Sequence, residues 1–148
     1  PADPALYELV VEAFPDAVIE DPALTDETRD VLAAHEDRIS WDHPITGIQS
    51  IEDRPFDPQV LNVKPSRFGS LESLLDSIEY CLERDIQLYG GGQFELGVGR
   101  GQIQALASLC YPDGPNDVAP AGYNDPEPPE ELPASPLEPP EAPVGFGW

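Results

Sequence analysis

The stretch that decides the fold is residues 60–89, which read VLNVKPSRFGSLESLLDSIEYCLERDIQLY. The stretch begins and ends with a short apolar run, at 60–63 and at 86–89, and both runs are typical of buried strands. Between them Ser70 is a natural helix N-cap, and apolar residues follow it at helical spacing. Those residues are Leu71, Leu74, Leu75, Ile78, Cys81 and Leu82. The stretch therefore predicts a strand, a crossover helix and a second, parallel strand.

The same alternation extends in both directions along the chain. Upstream, helical spacing at 4–14 precedes a strand-like run at 17–19, and a second helix precedes the run at 39–41. Downstream, a glycine-punctuated loop leads to a helix around 103–110 and to a short predicted strand at 117–119. The first three strands end in polar residues 22 positions apart, namely Glu20, Asp42 and Lys64. This period fits either a (β/α) barrel or a doubly wound sheet.

The charge of the chain excludes several classes of partner. Lys and Arg total 7 against 29 Asp and Glu, so the formal net charge is −22. Such a chain has no basic surface for nucleic-acid phosphates, and anionic lipids repel it. We expect a cytoplasmic protein with no nucleic-acid or membrane partner. The acidity also indicates a salt-adapted source, because salt screens the self-repulsion, although an ordinary acidic protein has the same signature.

The chemistry-bearing residues are those at the strand ends, since functional side chains of parallel α/β folds lie there. Glu20 and Asp42 can share a hard cation such as Mg²⁺, with Mn²⁺ as an alternative. Lys64 would lie beside that cation, and the positive charge and burial would lower its pKa toward that of a useful base. Taken singly, each residue has an ordinary reading as a cap, a turn residue or a surface cation. Cys81 and Cys110 lie on apolar helix faces and are expected to pack.

Three motifs together resemble the enolase superfamily. They are Ile19-Glu20-Asp21-Pro22, Ile39-Ser40-Trp41-Asp42 and the run from Asn62 to Glu72, NVKPSRFGSLE. Within that superfamily the motifs are most similar to the muconate-lactonising and mandelate-racemase type, especially the o-succinylbenzoate synthases. A fourth segment, GGGQFELGVG at 90–99, resembles the seventh barrel strand of that subgroup. The resemblance covers about residues 17–109.

The resemblance implies a role for each matching residue. Glu20 and Asp42 match metal ligands at the ends of the fourth and fifth barrel strands, and Lys64 matches the acid/base lysine on the sixth. Glu95 matches an acidic residue near the substrate. The implied reaction is metal-dependent abstraction of a proton α to a carboxylate, with stabilisation of the enediolate, followed by dehydration or racemisation. The third metal ligand, the second-strand lysines and the capping domain of the family have no counterpart in this chain.

Two departures from the family pattern put the substrate in doubt. His43 and Pro44 follow Asp42 where the subgroup has Glu-Ser, and the seventh-strand segment reads Phe-Glu-Leu-Gly. Three further residues are weaker candidates for binding a small carboxylate substrate: Arg67, Gly92 and Arg100. Arg67 and Arg100 are equally explained as surface salt-bridge residues.

The length of 148 residues is too short for a complete barrel, which needs about 250. We therefore expect an α/β chain that forms the carboxyl-terminal portion of a TIM-type barrel, about strands four to eight, at 1–122. Residues 123–148 are expected to form an extended, acidic, proline-rich tail ending in an apolar docking segment. Such a chain needs the upstream half for a complete site, and we expect a homo-oligomer.

Two other functional classes remain open at this point. A non-catalytic binding or assembly module, derived from the barrel, would use the sheet and the acidic tail for contacts. A doubly wound nucleotide-binding domain is suggested by Gly97, Gly99 and Gly101, but these glycines lack the Gly-x-Gly-x-x-Gly spacing after a first strand.

Overall fold

The computed structural model describes residues 2–120, 122–123 and 125–138. Five helices and four strands alternate along this part of the chain. In chain order they are α1 (Pro4–Ala13), β1 (Ile19–Glu20), α2 (Arg29–Ala33), β2 (Ile39–Trp41), α3 (Ile48–Glu52), β3 (Val60–Val63), α4 (Leu71–Leu82), β4 (Gln87–Gly90) and α5 (Val98–Cys110). Short 3-10 turns lie at Glu36–Arg38 and Pro65–Arg67.

The four strands form one parallel sheet in the order β1-β2-β3-β4. Each strand pairs with the strands that come before and after it in the sequence. A doubly wound sheet requires a point at which the strand order reverses, and this sheet has no such point. The sheet is therefore the singly wound wall of a barrel, which excludes the doubly wound alternative. The glycines that suggested that alternative lie at and within the first turn of α5.

The predicted strand at 117–119 is reduced to a single parallel bridge, one residue earlier. Asn116 pairs with Gly90 at the end of β4, and the amide of Asp117 donates to the Gly90 carbonyl at 3.0 Å. The chain after α5 thus returns beside β4, at the position of the next barrel strand. This contact extends the sheet beyond β4 by a single bridged residue pair.

Alternate residues of the strands face opposite sides of the sheet. One side packs against the helices in the hydrophobic core, with Ile39 and Trp41 from β2, Leu61 and Val63 from β3 and Leu88 from β4. The other side carries polar residues whose side chains contact one another across the sheet: Glu20, Ser40, Asn62 and Tyr89. A barrel wall of this kind has its apolar core outside the sheet and its polar residues inside.

Helix α4 begins as predicted. The Ser70 hydroxyl accepts from the Ser73 amide at 3.1 Å, and Gly69 precedes it with a φ of +75°. Leu74, Ile78 and Cys81 are buried, as the helical spacing predicts. The prediction was wrong for Leu71, Leu75 and Leu82, which are exposed. The apolar stripe is broader than the strip of α4 that touches the sheet, so one row of leucines stays outside.

The segment after Asp117 is held against α5 by one buried side chain. Gln104 is fully buried, and its carbonyl oxygen accepts from the Leu137 amide at 3.0 Å. Its amide group donates to the Val118 carbonyl and reaches the Ser135 hydroxyl at 3.4 Å. Residues 125–138 contain no helix or strand. The apolar docking segment predicted at the end of the tail, residues 144–148, lies outside the described residues. Among the helices that the structure describes, none is long and apolar enough to cross a membrane.

Replacing Gln104 with Leu should release residues 125–138 from α5. The variant keeps the side-chain volume but leaves the Leu137 amide and the Val118 carbonyl without their buried partner, at a cost of about 1–3 kcal/mol. Hydrogen exchange at the Leu137 amide should accelerate by more than about tenfold. Gln102→Leu, at an exposed position of the same helix, is the matched control. Unchanged exchange at Leu137 in Gln104→Leu would contradict the assignment.

Candidate active site

The polar residues that end the strands meet at one edge of the sheet, as predicted. Asp42 directly follows β2 and Lys64 directly follows β3. Lys64 Nζ lies 2.8 Å from Asp42 Oδ2, and each of these side chains is 13% exposed. Because their strands are neighbours in the sheet, the ion pair joins two adjacent strand ends.

A second cation reaches the same carboxylate. Arg67 lies in the 3-10 turn after β3, and its Nη1 donates to Asp42 Oδ1 at 2.6 Å and to the Asp42 carbonyl at 2.7 Å. Both carboxylate oxygens of Asp42 therefore accept from a cation. Arg67 is already engaged in this way, so its predicted role in holding a substrate carboxylate stays a prediction.

The backbone at the end of β2 is fixed by a residue of the preceding strand end. Asp21 directly follows Glu20, with a φ of +43°, in the left-handed region that is strained for a residue other than glycine. Its carboxylate accepts from the Asp42 amide at 3.0 Å and from the His43 amide at 2.7 Å. Asp21 thus links the ends of β1 and β2 through main-chain hydrogen bonds of Asp42 and His43.

Glu20 makes its hydrogen bonds with residues of β3 and β4, Asn62 and Tyr89. The Tyr89 hydroxyl donates to Glu20 Oε1, and Asn62 Nδ2 donates to the same oxygen at 3.2 Å. The Ser40 hydroxyl lies 3.1 Å from the Tyr89 hydroxyl. Burial, together with the hydrogen bond and the charge of Glu20, raises the pKa of Tyr89 well above its ordinary value. The Tyr89 hydroxyl therefore keeps its proton and donates a hydrogen bond to Glu20 across the whole physiological pH range.

Asp117 belongs to the site, although the sequence analysis did not select it. Its Oδ2 lies 3.5 Å from Lys64 Nζ and 3.5 Å from Asn62 Nδ2, and its Oδ1 accepts from the Gly92 amide at 3.0 Å. The signal that could have found it was the rule already applied to the other strands, that a polar residue ends each one. Because the strand is predicted at 117–119, Asp117 would be its first residue, whereas the structure has the bridge at Asn116 and Asp117 directly after it.

The pKa of Lys64 differs in direction from the expectation. Burial lowers it, and the charge of Arg67 lowers it further. The hydrogen bond to Asp42 and the charges of Asp117 and Asp42 outweigh both effects, so the pKa of Lys64 is raised above its ordinary value. Lys64, the one lysine of the sequence, is an ammonium in this arrangement. The expected fall depended on a cation beside it, and here carboxylates surround it.

Gly91 allows the backbone after β4 to pass directly against the lysine. A Cβ at this position would overlap Asn62 Oδ1 and lie 2.7 Å from Lys64 Cε. The Gly91 amide also extends the sheet by donating to the Val63 carbonyl at 3.0 Å. The absence of a side chain at position 91 therefore sets where the stem of Lys64 can lie.

A family profile described as the C-terminal domain of DUF8230, a domain of unknown function, matches residues 1–125. This chain belongs to that family. An o-succinylbenzoate synthase of Bacillus subtilis (strain 168) is 39% identical over 61 residues, which are 41% of this chain and 16% of the relative. An o-succinylbenzoate synthase of Listeria innocua serovar 6a is 34% identical over 84 residues, 55% of this chain and 22% of the relative.

Two solved structures share the fold of this DUF8230 C-terminal domain. A probable mandelate racemase of Alicyclobacillus acidocaldarius has a TM-score of 0.64 at 23% identity, covering 81% of this chain and 34% of that one. An enolase-superfamily member of Listeria innocua has a TM-score of 0.56 at 22% identity, covering 79% and 40%. These solved structures confirm the fold of a partial barrel, and together with the two sequence relatives they bear out the resemblance to the enolase superfamily. The chain spans under half the length of each of these relatives.

The remaining predicted residues of the DUF8230 C-terminal domain follow β4 in sequence: Gly92 and Glu95 lie in the loop before α5, and Arg100 lies in α5. The Glu95 carboxylate accepts from the Gln93 amide at 2.6 Å and from Ser66, and these hydrogen bonds outweigh burial and lower its pKa. Its polar contacts, within the part of the chain that the structure describes, do not include Lys64. Gly92 takes part through its amide, which donates to Asp117. Arg100 lies half-buried in the first turn of α5, and its substrate role stays a prediction.

The donor chemistry of the site fits a divalent cation, but only in part. Glu20 and Asp42 offer carboxylate oxygens, the ligands that Mg²⁺ prefers. Among residues 2–120, 122–123 and 125–138, no group of three or more His, Cys, Asp or Glu side chains is arranged to hold a metal ion. The oxygens of Asp42 are turned to Lys64 and Arg67. This chain therefore offers two carboxylates of suitable type, and their role as metal ligands stays a prediction.

Replacing Gly91 with Ala should displace Lys64 and destabilise the fold. The added methyl group would force Asn62 or the lysine stem to move, and overpacking of this kind costs about 1–3 kcal/mol. Urea denaturation would measure the loss. Gly47→Ala is the control, because a Cβ there would lie at an ordinary 3.6 Å from Ser73 Oγ. Equal stability of the two variants would contradict the close approach at Gly91.

The raised pKa of Tyr89 predicts how the tyrosines ionise in alkaline solution. The folded state keeps the Tyr89 proton at a pH where the unfolded chain has lost it, so Tyr89 makes stability fall as pH rises above about 10. An absorbance titration at 295 nm of Tyr89→Phe should lack one late-ionising group. Tyr123→Phe, at an exposed position, is the matched control, in which the late ionisation of Tyr89 is retained. If Tyr89→Phe keeps every late-ionising group of the wild-type protein, Tyr89 is not held as described.

Proposed function

We propose that this chain supplies the acid/base half of an enzyme that abstracts a proton α to a carboxylate. The reaction would end in dehydration by β-elimination or in racemisation. The observation that carries this proposal is the contact of Lys64 with carboxylates from two sides, at the edge where parallel barrels carry their chemistry. The names of the curated relatives, both o-succinylbenzoate synthases, support the same class of reaction.

Lys64 would move the proton at its Nζ. As an ammonium hydrogen-bonded to Asp42, it is ready to deliver a proton to a substrate carbon or leaving group. To accept a proton, Lys64 must first lose one of its own to become a neutral amine, and the hydrogen bond to Asp42, which raises its pKa, opposes that loss. A bound Mg²⁺ would supply electrostatic stabilisation of the developing negative charge. Glu20 and Asp42 are the residues of this chain that would hold it.

The complete site would also need strands that precede β1. The outer edge of β1 carries no strand among the described residues, and an open edge of this kind is unfavourable. A cavity of about 740 Å³ is lined by Val18 and Glu20 at the β1 end of the sheet and by Tyr89 of β4 and Tyr111 after α5, among others. We propose that upstream strands of the same barrel close this gap and bring the third metal ligand.

Lys64→Ala in a protein that carries those upstream strands tests the proposal. Exchange of the α-proton with solvent deuterium, followed by NMR on a panel of small carboxylates with Mg²⁺, should fall by about 10²- to 10⁴-fold. Arg84→Ala removes an exposed cation at the end of α4 and should leave exchange unchanged. Exchange that survives unaltered in Lys64→Ala would refute the role of the lysine.

A non-catalytic module remains the second candidate, because both oxygens of Asp42 are paired with cations of the chain itself. Isothermal titration with Mg²⁺ separates the two. The catalytic proposal requires binding that Glu20→Gln weakens when the upstream strands are present. If no Mg²⁺ binds and no carboxylate exchanges its α-proton, the binding-module function is favoured.

A further inference from the structure

Asp117 comes to the site from a strand position that the four-stranded sheet does not include. Its backbone is fixed by β4, because the Gly90 amide donates to the Pro115 carbonyl at 2.9 Å and the Asp117 amide donates to the Gly90 carbonyl at 3.0 Å. Within the wall, β3 lies between β2 and β4. Asp117 therefore approaches Lys64 from the β4 side, and Asp42 approaches it from the β2 side.

The carboxylate of Asp117 is directed by three donors. The Gly92 amide holds Oδ1 at 3.0 Å, while Asn62 Nδ2 and Lys64 Nζ each lie 3.5 Å from Oδ2. Two of these donors belong to rigid parts of the site, since Asn62 is almost completely buried in β3 and the Gly92 amide belongs to the main chain. Asp117 is thus oriented independently of the lysine that it contacts.

The lysine side chain, by contrast, has four rotatable bonds and takes its direction from its partners. Asp42 is shared with Arg67, whereas the ion pair of Asp117 within the described residues is with Lys64 alone. The stem of Lys64 cannot swing toward the backbone of β4, because Gly91 already lies against its Cγ and Cε. Two carboxylates and one glycine therefore define where Nζ lies.

We propose that Asp117 is a positioning residue that holds the Lys64 ammonium between two carboxylates, so that its position is not set by Asp42 alone. This inference rests on the proposed function for its catalytic consequence, but not for the positioning itself. Without Asp117, the Lys64 ammonium keeps one carboxylate partner, Asp42, and Nζ shifts further toward the end of β2. Displacement of a reacting group by about 1 Å is enough to reduce a rate by about 10²-fold.

The test uses the fact that the chain has one lysine. Lysine labelled with ¹³C at Cε gives a single side-chain signal, and its relaxation reports how firmly the ammonium is held. Asp117→Asn and Asp117→Ala should lower the Cε order parameter, and Asp117→Glu should restore part of it. Asp113→Asn is the matched control, because Asp113 is an exposed aspartate of the same connection. Circular dichroism verifies that each variant is folded.

A second readout separates positioning from the proposed reaction. In the protein with the upstream strands, Asp117→Asn should lower kcat by about tenfold or more and change KM by less than about twofold. An unchanged order parameter in a folded Asp117→Asn variant would overturn the inference. If the order parameter falls but the wild-type protein exchanges no α-proton, the positioning stands and the proposed function fails.

Discussion

The ion pair between Lys64 Nζ and Asp42 Oδ2, 2.8 Å long, is the interaction on which the rest of the site depends. It joins the ends of two adjacent strands in a place where little solvent reaches either charge. Removing one partner from a pair of this kind leaves an unpaired, largely buried charge, at a cost of about 3–5 kcal/mol. Arg67 adds a second cation on Asp42, so the carboxylate, the lysine and the arginine form one cluster. The turn after β3 and the end of β2 are therefore held together by charge.

The polar inner side of the sheet distinguishes this wall from an ordinary core. Ser40 and Asn62 are buried there, and Tyr89 is half-buried. Buried polar groups are costly unless they are paired, and these groups pair mainly with one another and with Glu20. Apolar side chains inside a barrel would stabilise it without the cost of burying polar groups. A network that instead ends at two carboxylates and a lysine is typical of a site under functional constraint.

The strand ends could be predicted because their signal is local. An apolar run followed by Glu20, Asp42 or Lys64 fixes where each strand stops, and parallel pairing then brings the ends together. Asp117 was missed because its position depends on one bridge to β4 and not on a strand of its own. The burial of Gln104 was unpredictable for a similar reason, since its partners lie 14 to 33 residues away along the chain. Contacts of this kind have no periodicity to reveal them.

The same reasoning explains why the two ends of the site differ in completeness. Asp42 and Lys64 follow β2 and β3, each of which has a strand on both sides. Glu20 ends a two-residue strand that pairs with β2 alone, and the Glu20 side chain is exposed. Its carboxylate is oriented by Tyr89, which reaches it from the other end of the sheet. A strand added beside β1 would cover Glu20 and change its surroundings, whereas the lysine end of the site would keep its neighbours. The chain thus fixes the surroundings of Lys64 by itself, whereas the surroundings of Glu20 depend on what lies beside β1.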